Sequence, residues 1–148
     1  MKVSIVPPER VHECWDEVVP LLQPAVDRSG GRFLMEDVYH LVATGQNHLW
    51  VVFEDGVIVA CCTTAFTEYP RKRMLTGQFL GGSQMTEWVP KLDAVLQQWG
   101  TDHGCSGIEL TGRKGWLRVL DKIGWDITFY IMEKSYGQAI VTGKQHLV

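Results

Sequence analysis

No stretch of this chain approaches the ~20 consecutive apolar residues that a membrane-spanning helix needs, and no segment repeats or is of low complexity. Positive charge is in short supply too. Lys and Arg number 14 against 17 Asp and Glu, a net charge of −3, so the footprint that attracts nucleic acid or an anionic membrane is missing. The one basic cluster, Arg71-Lys72-Arg73, is short and reads as a solvated turn. Cysteine is sparse and poorly placed for a metal. Cys14, Cys61, Cys62 and Cys105 include no C-x-x-C pair, and the adjacent Cys61 and Cys62, in strand-like sequence, face opposite sides. His12, His40, His48, His103 and His146 share no i, i+4 spacing. No metal site is expected, and the thiols read as buried groups of a reducing compartment. The opening Met1-Lys2-Val3-Ser4 has no signal-peptide core, so a cytoplasmic location is the expectation.

The composition is that of one globular domain: 148 residues, 45% hydrophobic and 21% charged, enough to bury a core. Alternation over Lys2 to Val6 predicts a strand, stopped by Pro7-Pro8. Helical spacing of Val11, Trp15, Val18, Val19 and Leu22 predicts a helix from Glu9 to Ala25, which Pro20 and Pro24 should break or shorten. A second helix is expected over Phe33 to Thr44, then strands over His48 to Phe53 and Val57 to Phe66, joined by the turn Glu54-Asp55-Gly56. Arg73 to Leu80 reads as a third consecutive strand, with Gly77 as a bulge. A helix bearing Trp88, Leu92, Val95, Leu96 and Trp99 follows, then a short strand over Cys105 to Thr111, a short helix over Trp116 to Ile123, and a last strand over Ile127 to Met132. The order β-α-α-β-β-β-α-β-α-β predicts an α/β (α+β) domain with a mixed central sheet and helices on both faces. It should occupy residues 1–136, with 137–148 a tail that is flexible or reaches a partner.

The most informative segment is the elbow Gln78-Phe79-Leu80-Gly81-Gly82-Ser83-Gln84, between a strand and a helix. Backbone N–H groups at such a junction, aided by the helix dipole, can seat a phosphate. Gly81 and Gly82 can equally be there only to turn the chain. Pro90 weighs on the choice. A helix capped at Ser83 carries it in the interior, at a cost of ~3 kcal/mol or a kink. A helix starting at Thr86 or later would take the elbow amides off its axis.

With this elbow, and with Gly112-Arg113-Lys114-Gly115-Trp116, Val119-Leu120 and Gly124-Trp125 after it, the chain resembles the GNAT acyltransferase superfamily over roughly Met1 to Tyr136. More narrowly it looks like small GNAT-like proteins of tailed bacteriophages and prophages. The resemblance implies acetyl-CoA as co-substrate, with its pyrophosphate at a Gln/Arg-x-x-Gly-x-Gly/Ala loop matched here by Gln78, Gly81 and Ser83, Ser83 departing from the pattern. Leu80, Gly82 and Gln84 would contribute from the same loop, and Arg113 from the turn beyond the next strand. It also implies a thioester lying where the fourth and fifth strands part. The family's usual general-acid Tyr falls on Leu120, and the Asn that often opens the last helix falls on Arg113. An aliphatic side chain cannot protonate a thiolate, so the expected site is a non-standard one.

Candidates for the missing chemistry are Glu109 and Glu68 as bases and Tyr130 or Tyr69 as acid, each weighed against an ordinary surface role. Trp88, Trp99, Trp116 and Trp125 read as core, with Trp116 either capping a cleft or anchoring the short helix. Three functions stay open: an acyl-CoA-dependent N-acyltransferase acting on an unknown amine, a non-catalytic phage binding or assembly protein on the same scaffold, and a CoA-binding sensor. No nucleic-acid or membrane partner is expected, and a homo-oligomer is possible.

Overall fold

The computed structural model describes residues 1–112 and 114–137. Arg113 and residues 138–148 of the expected tail lie outside the described residues. Five strands form one sheet in chain order: β1 (Lys2–Val6), β2 (His48–Glu54), β3 (Val57–Glu68), β4 (Arg73–Gly82) and β5 (Gly107–Leu110). The first three pairings are antiparallel and the last is parallel. The parallel pairing needs a crossover, which α3 (Met85–Asp102) supplies. Helices α1 (Val11–Asp27) and α2 (Met35–Ala43) cover one face, whereas α3 and the short α4 (Leu117–Leu120) cover the other. The expected mixed sheet with helices on both faces is what the chain forms.

The strands read as apolar runs because both faces are buried. Along β2, Leu49 and Val51 join Val18, Leu22 and Val38 under α1 and α2. Their neighbours Trp50 and Val52 join Leu75, Trp88 and Leu92 under α3. Trp88 is wholly buried, and its indole N–H donates to the Ser83 carbonyl at 2.6 Å. Trp116 lies 6.1 Å from it, ring to ring, and is 9% exposed, so it anchors the short helix and does not cap a cleft.

Prolines do not interrupt α1. The helix runs unbroken from Val11 to Asp27 through Pro20 and Pro24, against the expectation of a break. Both rings are exposed, as are Asp16 and Pro20, whose carbonyls lose their i+4 donors. Water can satisfy those carbonyls, while Val11, Val18, Leu22 and Val26 hold the opposite stripe in the core. Pro90 likewise falls inside α3, in its second turn, with the ring exposed.

Two further expectations are corrected. The bulge in β4 is at Gln78, not Gly77: Thr64 pairs with Gly77 and Thr63 with Phe79. Ile127 to Met132 forms no strand. Its apolar side chains stand 50–91% exposed, and no strand among the described residues takes up its backbone groups.

Candidate active site

The site begins where two strands stop pairing. β4 and β5 are in register only from Met74–Gly107 to Gly77–Leu110, yet β4 continues to Gly82, paired only with β3. The bulge at Gln78 comes directly after the last shared pair, and such an insertion sharpens the local twist. A wedge opens between the two strands. The N–H groups of Phe79 and Ser83 turn toward β3, donating to Thr63 Oγ1 at 3.2 Å and to the Val59 carbonyl at 3.3 Å. Those of Leu80 and Gly82, one residue out of phase, therefore face the wedge.

Under the wedge, on the α3 and α4 side, is a cavity of ≈ 40 Å³ lined by Leu80, Leu96, Ile108, Leu110, Leu120 and Trp125 among others. A space of that size takes a small group of a few atoms. Leu120 puts an aliphatic wall where a proton donor would otherwise stand. The polar side chains on this lining have other tasks. Asp93 accepts the Trp125 indole N–H at 2.9 Å, and burial pushes the Cys62 thiol up to about 12, which leaves it neutral and unreactive.

At the elbow the glycines are required by packing. A Cβ on Gly81 would run into the Leu21 carbonyl of α1, and one on Gly82, at φ +147°, into Ala60 and the Val59 carbonyl. Gln84 follows in the left-handed region at φ 57° and caps α3. The Ser83 amide is spent on β3, while the amides of Gln84, Met85 and Thr86 donate to no backbone carbonyl among the described residues. The first N–H groups of a helix point outward with partial positive charge. With the Gly82 N–H they are the backbone donors left over at this end of the wedge. Gln78 takes no part through its side chain, which accepts from Asn47 Nδ2 at 2.6 Å.

The opposite face of the sheet holds one candidate carboxylate. Glu109 alternates with Ile108 and Leu110, which pack under α3, so it emerges on the α1 and α2 side, level with Thr76 and one residue before the strands part. The Tyr69 hydroxyl donates to Glu109 Oε2 at 2.8 Å, and this bond raises the Tyr69 pKa. Thr76 and Thr67 share a hydrogen bond of 2.6 Å beside them. Glu68 is engaged elsewhere: its Oε1 lies 2.5 Å from Arg73 Nε, a charge contact out of line for a hydrogen bond. Arg73 stacks over Phe66 at 3.8 Å and donates to the His103 carbonyl. Tyr130 is 72% exposed, on a segment in no helix or strand. Of the predicted residues Leu80 lines the cavity, Gly82 and Gln84 stand farther on at the end of β4 and the start of α3, Glu109 lies on the other face level with Thr76, and Gln78 and Glu68 are engaged with Asn47 and Arg73. Sequence reading missed Asn47 and Asp93, which hold Gln78 and Trp125. Asn47 had one signal, a polar residue between a helix end and a strand, where only a stop was read.

No family model matches the chain, and no curated protein matches it in sequence. Solved structures do match it in shape. A probable acetyltransferase superposes with a TM-score of 0.69 at 12% identity, over 91% of this chain and 99% of its own. The ribosomal-protein-alanine N-acetyltransferase of Brucella melitensis biovar Abortus 2308 gives 0.65 at 14%, over 90% and 100%. A predicted acetyltransferase of Clostridium acetobutylicum, solved with acetyl-CoA, gives 0.63 at 13%, over 90% and 95%. The fold is that of the GNAT-type acetyltransferases. At these identities the likeness establishes the GNAT fold alone, and what the wedge does must be argued from its residues.

Proposed function

We propose that this GNAT-fold chain binds acetyl-CoA at the wedge and transfers the acetyl group to an amine approaching from the Glu109 face, as an N-acyltransferase with a non-standard site. The observation that supports it most is the early end of the β4–β5 pairing at Gly77 and Leu110, with β4 continuing to Gly82. Bound acetyl-CoA would supply the activated acyl carbon. The free amides of Gly82, Gln84, Met85 and Thr86 suit its phosphates, and the Leu80 N–H would donate to a carbonyl oxygen that gains negative charge in the wedge. Glu109 can take a proton from an incoming ammonium on the far face, with Tyr69 orienting it. Leu120 offers no proton to the departing thiolate, so catalysis would rest on positioning and on the amides.

A second reading is a binding scaffold, for example in phage assembly, and the same Leu120 and the small apolar cavity favour it. Titration calorimetry with acetyl-CoA and CoA separates the two. The enzyme reading expects micromolar binding that weakens by ~10-fold or more in Thr86→Asp, because a carboxylate there repels phosphate while it suits the helix dipole and leaves the melting temperature unchanged or raised. No heat at millimolar ligand would sink it.

A further inference from the structure

Charge is spread unevenly over this molecule. Helices α1 and α2 carry six carboxylates, Glu13, Asp16, Glu17, Asp27, Glu36 and Asp37, and no Lys or Arg. The rest of the chain holds all 14 Lys and Arg against the remaining 11 of its 17 Asp and Glu. The helix pair is thus strongly negative on a chain whose remainder is positive, and a field of one sign draws the other.

Three of the six carboxylates are engaged close by. Glu13 pairs with Arg10 at 2.8 Å, Asp27 accepts the Gln23 amide N–H at 2.7 Å, and Asp37 accepts the Leu34 backbone N–H at 2.8 Å. Asp16 and Glu36, two of the other three, line one groove between the helices with His12, Trp15, Met35 and Tyr39. The groove has a volume of ≈ 500 Å³, within the range of small-molecule clefts. It shares no lining residue with the wedge cavity. It opens on the outer side of the helix pair, since Val11, Val18, Leu22, Val38 and Val42 hold the stripe against the sheet and His12, Asp16 and Glu36 are exposed.

The walls of this groove are aromatic. Trp15 and Tyr39 are half-buried and meet edge to face, with ring centroids 5.0 Å apart and planes at 69°. A corner of this kind offers a negative π face, and Met35 adds a polarizable thioether. Packing of α1 on α2 accounts for the rings, but not for two carboxylates beside them on helices without Lys or Arg. Rings and carboxylates both attract a cation. In so open a groove a strongly hydrated cation keeps its water. An alkylated ammonium presents apolar methyl groups to the rings and spreads its charge, so it sheds water easily. We propose that this groove is a binding site for an alkylated ammonium head, with Trp15 and Tyr39 as its aromatic walls and Asp16 and Glu36 as its counter-charges. The inference does not depend on acetyl-CoA binding.

Nuclear magnetic resonance of the full chain, titrated with choline and with its neutral isostere 3,3-dimethylbutan-1-ol, tests it. The readout is the indole N–H resonance of Trp15, assigned by its loss in Trp15→Phe. Choline is expected to move that resonance with millimolar affinity, and the isostere to leave it in place. The double variant D16N/E36Q changes two exposed side chains and should keep the wild-type spectrum, yet bind choline at least ~3-fold more weakly. An equal shift with the isostere overturns the proposal, as does no shift with choline in large excess. Undiminished binding by the variant overturns it too, because the carboxylates would then take no part. A short peptide bearing trimethyllysine, titrated in the same way, identifies the source of the head. Tighter binding than choline assigns it to a protein side chain and weaker binding to a free small cation, and either result upholds the groove.

Discussion

Between Lys2 and Gly82 four strands pair antiparallel, and α1 lies so close on β4 that Gly81 has no room for a Cβ. Between Gly107 and Tyr136 a strand and a helix of four residues each precede a segment that joins no strand among the described residues. The first region buries Val11, Val18, Leu22, Val52 and Cys61 completely. The second carries most of the exposed apolar residues. Close packing of this kind leaves a backbone few alternatives, whereas elements with few buried contacts open at low free energy. The candidate site sits at the seam. Its amides belong to the rigid side, through β4 and the start of α3, and Glu109 and Leu120 to the sparsely packed one. That division suits a site that must hold one group fixed while another enters and leaves.

The comparison can be tested hardest at Gly81. Gly81→Val drives a side chain into the α1 backbone, and backbone has no rotamer by which to yield, so loss of the folded state is expected. A variant that unfolds in urea within ~1 kcal/mol of wild type would mean that α1 is not seated on β4. Trp88→Ala comes next, at about 3–5 kcal/mol, because the indole is fully buried and its N–H bond to Ser83 is lost with it.

Two titrations probe the same rigid region with smaller effects. Burial, then the nearby charges of His103 and Arg73, lowers the His48 pKa. The folded imidazole stays neutral where the unfolded one protonates, near ~6.5. Stability from this group is full above that pH and falls as pH drops through the folded value. The thiols run the other way. Burial raises Cys61 and Cys62, Cys62 to about 12, so their contribution is full below ~8.5, where free thiols ionise, and declines as pH rises beyond it. Melting temperatures at acid, neutral and alkaline pH should therefore peak in the middle, and His48→Gln should flatten the acid side. The smallest effect is expected at Phe129→Ala. That 73% exposed ring should change stability by less than ~0.5 kcal/mol.

Much of this fold was legible because its signals are local. Alternating apolar residues in β2 and β3, the stripe of Trp88, Leu92 and Leu96, and the Gly-rich elbow each follow from the geometry of a single element. The absence of a hydroxyl at Leu120 was equally legible, and the structure places that side chain in the wedge cavity. Where local reading went wrong, solvent or a missing neighbour decided. Pro20 and Pro24 stay helical because the carbonyls they orphan belong to the exposed Asp16 and Pro20, and no window of sequence shows which way a helix will face. Ile127 to Met132 has the composition of a strand, but a strand exists only where a second one accepts its hydrogen bonds.

The sequence by itself determined the order of elements, the apolar faces and the chemical types available at the elbow, since those depend on neighbours a few residues apart. Only the tertiary structure decided which amides face the wedge, that Glu109 rather than Glu68 stands beside it, and that Gln78 is taken up by Asn47. Those outcomes depend on a one-residue bulge and on contacts between segments 31 to 40 residues apart. A bulge reverses the side to which every later residue points, and pairings at that separation are set by the packing of the whole sheet.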